Sequence, residues 1–164
     1  MKEVKLTQGK VALVDDEDYE WLNQFKWCAA NNGGTFYAIR KACYDGKWIT
    51  ERMHRVLFDI PPGKEIDHID HNGLNNQRGN LRIVTRQQNK FNARAWGQSK
   101  YLGVSIYNDN GRKYIAANIW VNGKKKYLGF FPTEEAAALA YNEAAIGFQG
   151  EYANLNKITK ENEQ

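Results

Sequence analysis

One segment of this 164-residue chain constrains its fold more than any other. Glu65-Ile66-Asp67-His68-Ile69-Asp70 is answered by Asn80-Leu81-Arg82-Ile83-Val84-Thr85, and Asn89 follows. Ile66 to Ile69 and Leu81 to Val84 carry strand-forming residues. Asp70 to Gly79, between them, is polar and rich in Asn and Gly, which predicts a loop. Thr85 opens a helix, with Gln88 in capping-box spacing, and the helix is expected to end near Arg94. The segment therefore reads strand, loop, strand, helix, with Asn89 in the first turns of the helix. Adjacent side chains on a strand point to opposite faces, so Asp67 and His68 are expected on opposite sides.

The residue types in this pattern suit one hard metal ion and one general base. Mg²⁺ and similar cations take oxygen ligands and keep several waters. Asp67 offers a charged oxygen and Asn89 a neutral one, once the strands pair and the helix folds back. The remaining positions are left to water and a phosphate oxygen. His68 is the candidate base. An imidazole with an unperturbed pKa of about 6.5 already suits that role at neutral pH. Such a group contributes roughly 10²–10⁴-fold to a hydrolysis. A phosphodiester is the bond that this combination suits.

Charge distribution points to a polyanionic partner. Asp15 to Glu20 is acidic, whereas from Lys90 to Lys126 the charges are nearly all basic, against Asp109 alone. Aromatics interleave with that basic stretch, which favours nucleic acid over a merely solvated face. The only cysteines, Cys28 and Cys43, have no CxxC spacing. No structural zinc and no disulfide framework are therefore expected. No signal peptide and no long apolar run is seen, so a cytoplasmic protein with no membrane partner is expected.

Residues 1 to 50 read as mostly β. Val4 to Val14 forms two short strands around a Gly9 turn. Asp15 to Lys26 forms a short helix or turn. Phe36 to Arg40 and Lys47 to Thr50 flank the hairpin signal Asp45-Gly46. Trp21, Phe25, Trp27, Phe36, Tyr37 and Trp48 are many aromatics for an isolated arm, so this region is expected to complete the core of the following unit. Met53 to Phe58 looks helical, and Pro61-Pro62-Gly63 ends it.

Tyr101 to Tyr107, Lys113 to Val121 and Lys125 to Phe130 read as three strands. Asn108 to Gly111 and Asn122-Gly123 supply the turns. Thr133 caps a helix from Glu134 to Ile146, with Gly147 at its exit. Ala137, Ala140, Tyr141 and Ala144 share one helical face. Along the middle strand, Ile115, Ala117, Ile119 and Val121 are expected to pack on this helix. Tyr114, Ala116, Asn118 and Trp120 are then left on the open face.

The Asp67-His68-Ile69-Asp70, Asn80 to Thr85 and Asn89 pattern resembles the ββα-metal motif of HNH endonucleases, in the variant whose last His is Asn. The likeness spans about Met53 to Arg94 and is nearest to homing-type enzymes of phages. It implies His68 as the base, Asp67 and Asn89 as ligands of one Mg²⁺ or Mn²⁺, and Asn80 as the catalytic-site Asn that braces the loop. It also implies 5′-phosphate and 3′-hydroxyl products. Met53 to Leu57 resembles the segment preceding the motif. There His54 and Arg55 are candidates for contacting substrate phosphate, with packing beneath the site as the alternative for His54. His71 stands where the family usually has a small residue and is read as surface. Asp70 is read as a turn cap.

Residues 99 to 156 resemble the plant ethylene-response-factor (ERF) type of DNA-binding domain. The likeness rests on Tyr101-Leu102-Gly103-Val104, Tyr114 to Ile119, Lys126 to Phe131, Glu135-Ala136-Ala137 and Ala140-Tyr141-Asn142. It implies Ser105, Tyr107, Asn118, Trp120, Lys125 and Tyr127 at DNA-facing positions. Lys113 and Lys124 to Lys126 are expected to contact phosphate. The plant domains place several Arg on this face, so guanine readout by Arg is not carried over.

The expectation is an α+β chain. A ββα-metal HNH nuclease domain occupies 1–94, β-rich over 1–50 with its core at about 53–94. A linker spans 95–99, an ERF-like three-stranded antiparallel sheet packed on one helix spans 100–156, and a flexible tail spans 157–164. The partner is double-stranded DNA. A monomer that nicks is expected, and a double-strand break needs a dimer or two events. The setting is a bacterial or phage-infected cell. The rival reading is a non-catalytic DNA-binding regulator on a degenerate HNH scaffold.

Overall fold

The structure is a computed structural model, and it describes residues 1–95 and 97–158. Trp96 in the expected linker, and positions 159–164 of the expected tail, lie outside the described residues. The chain is mixed α+β and divides into two compact units, Met1–Arg86 and Gln87–Gln164.

The first unit holds three small antiparallel sheets. β1 (Lys2–Lys5) pairs with β2 (Val11–Val14), and Gly9 turns between them with φ 71°. α1 (Asp16–Leu22) follows, its first turn acidic, as suits a positive helix end. β3 (Cys28–Asn32), β4 (Thr35–Tyr44) and β5 (Lys47–Arg52) form the second sheet in that order. Asp45 and Gly46 turn β4 into β5 with φ of 49° and 75°, the left-handed pair an Asp-Gly hairpin needs. α2 (Met53–Val56) leads to the third sheet, β6 (Lys64–His68) with β7 (Leu81–Thr85). α3 (Arg86–Phe91) starts directly after β7, and the boundary between units falls inside it.

One core joins these sheets. Val4, Val14, Leu22, Trp27 and Ala38 from the N-terminal region cluster with Met53, Leu57, Ile66 and Leu81. Trp27 is fully buried, and its indole N–H donates to the Leu22 carbonyl at 2.8 Å. Residues 1–52 thus share a core with the strand-loop-strand segment. Leu22 of α1 enters that core fully, while Trp21 and, beyond the helix, Phe25 stay exposed.

The second unit is a three-stranded sheet with a helix against it. β9 (Arg112–Val121) lies between β8 (Val104–Asp109) and β10 (Lys124–Phe131). Asn110-Gly111 and Asn122-Gly123 make both turns with positive φ. α4 runs over Glu134–Gln149, and the Thr133 hydroxyl accepts from the Ala136 N–H at 3.1 Å. Ala137, Ala138, Tyr141 and Ala145 are its buried apolar residues, packing with Ile115, Ala117 and Ile119. The helix continues through Gly147 and ends at Gly150, whose φ is 56°. Gly147 is therefore not its exit, because a glycine costs a helix only about 1 kcal/mol and the left-handed conformation is needed later.

The first strand of this unit begins at Val104, not Tyr101. Tyr101 to Gly103 forms a turn held against β9, with the Asn118 N–H donating to the Gly103 carbonyl at 2.7 Å. A side chain on Gly103 would meet the Tyr141 ring at 2.1 Å, so only glycine fits. Asn156 fastens the far end, accepting from the Leu102 N–H at 2.6 Å and donating to its carbonyl at 3.0 Å. Ile158 packs against the same core.

Candidate functional site

The β6–β7 register sets the site. Asp67 pairs with Arg82 and His68 with Leu81. Cross-strand partners share a face, so Arg82 meets Asp67. Its Nε and Nη2 both approach the same carboxylate oxygen, Oδ2, at 3.0 and 2.9 Å. Asp67 and His68 are each nearly buried, at 7% and 6% exposure, and lie on opposite faces of the strand. This Asp–Arg pair went unforeseen, although the hairpin register implied by the two segments would have indicated it.

The loop after His68 is closed by Asn80. Its amide donates to the Asp70 carboxylate and to the Asn75 carbonyl, each at 2.9 Å. Its side-chain oxygen accepts from the Asp70 N–H at 3.1 Å. Asp70 also accepts from the Asn72 N–H and the Asn75 amide. Burial works against ionising Asp70, but these hydrogen bonds outweigh it and hold the carboxyl below its ordinary range. His71 follows, half-buried and with φ 62°.

The N-terminal region grips the same loop from outside. Arg78 donates through Nε and Nη2 to Asp18, both at 2.8 Å, and its backbone N–H donates to Asp15 at 2.7 Å. Leu13 donates to the Leu74 carbonyl, and the Asn76 N–H donates to the Leu13 carbonyl. Sequence reasoning had no signal for these contacts, because about sixty positions separate Asp18 from Arg78.

His68 does not sit in the ordinary imidazole environment that was expected. Burial pushes its pKa down, while the Asn76 side chain and the Asp70 and Asp67 carboxylates work the other way. His54 lies beside it, with ring centroids 4.8 Å apart and planes at 87°. It is 4% exposed, and its Nδ1 finds no hydrogen-bond partner among the described residues. Burial chiefly, then His68, Arg52 and Arg55, lower its pKa to about 3, so it is neutral at working pH. Tyr37 of β4 touches both imidazoles and was not among the expected site residues. Arg55 is exposed on α2. Asn89 is half-buried on α3 and belongs to the second unit.

In the second unit the expected DNA-facing residues separate by face. The register places Ser105, Tyr107, Tyr114, Ala116, Asn118, Trp120, Lys125, Tyr127 and Phe130 on the open side. Trp120, Tyr127 and Phe130 are 62%, 53% and 63% exposed. Ala116 and Asn118 are buried, contrary to the expectation that they stay open. Tyr127 stands opposite Asn118, and the irregularity between Tyr127 and Gly129 brings Phe130 opposite Ala116. The Phe130 ring then contacts Tyr114 and Tyr127 at 5.8 and 5.5 Å. Asn118 reaches the Ser105 hydroxyl at 3.5 Å. Lys113, Lys124 and Lys126 alternate to the helix side, where Lys113 pairs with Glu134 at 3.2 Å and Lys126 lies over Phe148.

Comparison with known proteins bears on both units. A family model described as HNH endonuclease matches residues 53–91. An uncharacterized HNH endonuclease of Acanthamoeba polyphaga mimivirus is 35% identical over 158 residues, covering 92% of this chain and 77% of that protein. The AP2-like ethylene-responsive transcription factor TOE2 of Arabidopsis thaliana is 42% identical over 66 residues, covering 40% of this chain and 13% of that protein. APETALA2-like protein 2 of Oryza sativa subsp. japonica is 48% identical over 58 residues, 35% of this chain and 13% of its own length. No solved structure matches.

Proposed function

The chain belongs to the HNH endonuclease family and carries an ERF-type DNA-binding region, and from that premise we propose that it hydrolyses phosphodiester bonds in double-stranded DNA as a metal-dependent nicking enzyme of phage or mobile-element homing type. The observation that carries this reading is the β6–β7 hairpin, which puts a carboxylate and an imidazole on adjacent positions and closes the loop after them with Asn80.

The donor chemistry fits a hard divalent cation, Mg²⁺ or Mn²⁺. Asp67 and Asn89 supply oxygens, which are what such ions prefer. Among the described residues no group of three or more His, Cys, Asp or Glu side chains gathers. Asp67 and Asn89 are the two donors this reading assigns, leaving room for water and phosphate. When bound, it would polarise the phosphoryl oxygen and stabilise the leaving oxygen.

The protein's own groups divide the remaining work. His68 takes the proton from the attacking water. A lowered pKa keeps its imidazole neutral, and so able to accept a proton, at neutral pH. Asn80 fixes the loop through Asp70 and so holds the end of the His68 strand. Arg82 orients the Asp67 carboxylate. Arg55, exposed on α2, is assigned to substrate phosphate in this reading, and buried His54 packs beside His68.

The nuclease portion is 1–94, including α3, and the DNA-holding portion is 100–156. In the latter, Ser105, Tyr107, Trp120, Lys125 and Tyr127 face DNA, with Lys113, Lys124 and Lys126 reaching phosphates from the rim. One active site per chain implies a monomer that nicks. Among the described residues no helix is long and apolar enough to cross a membrane.

Supercoiled-plasmid cleavage tests the reading. Mg²⁺- or Mn²⁺-dependent nicking, abolished by EDTA and cut by roughly 10²–10⁴-fold in His68→Ala with DNA binding kept, is the expected result. Binding without cleavage on plasmid and on a genomic library would instead identify a DNA-binding regulator.

A further inference from the structure

Tyr37 lies on β4, outside residues 53–91 that match the family. Its ring nevertheless stands 5.7 Å from His68 and 5.6 Å from His54, tilted by 65° and 62°. With the 4.8 Å contact between the two imidazoles, the three rings close a triangle. Edge-to-face ring pairs favour centroid separations of about 4.5–7 Å, so all three sides lie in the attractive range. Beside the Asn76 side chain that also acts on His68, two ring neighbours set at an angle to each other narrow the orientations its ring can take.

Tyr37 is itself fixed from behind. A Cβ on Gly73 would come within 2.7 Å of the Tyr37 ring and 2.5 Å of the Phe36 carbonyl. The loop that follows His68 therefore lies directly on Tyr37. The Arg52 guanidinium sits 5.5 Å from the centre of the same ring. The side chain thus links the second sheet, the loop and the histidine pair.

We propose that Tyr37 is a positioning residue of the nuclease site, holding the His68 imidazole in its working orientation through the Tyr37–His54–His68 ring triangle. The inference rests on the reading of His68 as the general base. Its physical content is that the ring matters and the hydroxyl does not. Misplacing a catalytic group by about 1 Å can cost about 10²-fold in rate, so the loss of one wall should be visible in the chemical step.

The test is single-turnover nicking of supercoiled plasmid by the full chain in Mg²⁺, with DNA affinity measured in EDTA and stability by thermal melting. Wild type and His68→Ala establish the underlying reading: a wild type that does not nick overturns that reading together with this one. With nicking established, Tyr37→Phe should stay within about twofold of wild type. Tyr37→Leu should slow the step by about 10- to 100-fold with unchanged affinity. Gly73→Ala, which pushes on the Tyr37 ring without removing it, should slow it in the same direction.

A double-mutant cycle separates positioning from general support. In the His68→Ala background, Tyr37→Leu should cause no further loss, because the group it positions is gone. An equal loss in both backgrounds, or a Tyr37→Leu protein that nicks at the wild-type rate, would overturn the proposal. Should Tyr37→Leu fail to fold, Tyr37→Phe still decides. Retained nicking supports the ring triangle, and nicking lost from a folded Tyr37→Phe protein shifts the role to the hydroxyl and sinks it.

Discussion

The first unit buries polar side chains, and the second exposes apolar ones. His54, Asp67, His68 and Asn76 are between 0% and 7% exposed. Tyr107, Trp120, Tyr127 and Phe130 are between 47% and 63% exposed. Each departs from the usual partition, in which ionisable groups stay wet and large rings stay dry. A buried imidazole is oriented by its neighbours, which serves a reaction. An exposed ring on a flat sheet offers contact area, which serves binding. The contrast teaches that a change at the buried imidazoles should alter rate at constant affinity, and a change on the open aromatic face should alter affinity at constant rate.

His68→Ala should produce the largest effect. Nicking under saturating DNA should fall by roughly 10²–10⁴-fold, the range of general base catalysis. DNA affinity, read by fluorescence anisotropy in EDTA, should stay at the wild-type value. A parallel fall in affinity would break the contrast at its strongest point.

The next effect is on stability against acid. Both His54 and His68 titrate lower in the folded chain than the ordinary value of 6.5, His54 at about 3. Below that ordinary value the unfolded chain takes up protons that the folded unit refuses. Stability is therefore complete above about pH 6.5 and falls as pH drops, by up to about 1.4 kcal/mol per pH unit for each histidine. Asp70, whose folded pKa is also lowered, adds a loss at lower pH. Fluorescence of buried Trp27 should report acid unfolding of this unit, and His54→Phe should shift the midpoint to lower pH. An unchanged midpoint would show that His54 is protonated within the fold.

How much of this could be read from the sequence follows from the range of the forces involved. Asp45-Gly46, Asn110-Gly111 and Asn122-Gly123 were legible as hairpins because left-handed φ is a local demand that few residues meet. The opposite faces of Asp67 and His68 followed from strand geometry alone. β3 was not singled out, because Cys28-Ala29-Ala30-Asn31-Asn32 has no strand alternation and pairs with β4 by position. Tyr37 against His54 and His68, and Asp15 and Asp18 against Arg78, were invisible because tertiary packing brings them together across long stretches of chain. The irregularity after Tyr127 brought Phe130 over Ala116, and Tyr127 stands over Asn118, so both are buried where strict alternation left them open.

Trp120→Ala sharpens the other side of the comparison. At 62% exposure the ring gives little to folding, so the melting temperature should barely move. As a central aromatic on the open face it should contribute to binding, with a loss of about 1–2 kcal/mol, or about 5- to 30-fold in Kd. Nicking at saturating DNA should be unchanged. A loss of rate with affinity kept would show that this face acts on the reaction itself.

The smallest effect should come from lysines that differ only in face. Lys125 lies opposite Trp120 and shares its open side, whereas Lys113 points to the helix and pairs with Glu134. Each phosphate contact adds about 0.9 to the slope of log affinity against log salt on duplex DNA. Lys125→Ala should therefore lower that slope by about one contact. Lys113→Ala should lower it less, because the Glu134 carboxylate already claims the ammonium group. The affinities themselves, measured at one salt concentration, would blur this distinction, since removing any positive charge weakens binding to a polyanion. The slope counts contacts, so it is the quantity that reads the face. Equal slopes for the two variants would mean that DNA reaches the helix side of the sheet as well, and the aromatic face would then be one part of a wrapped surface.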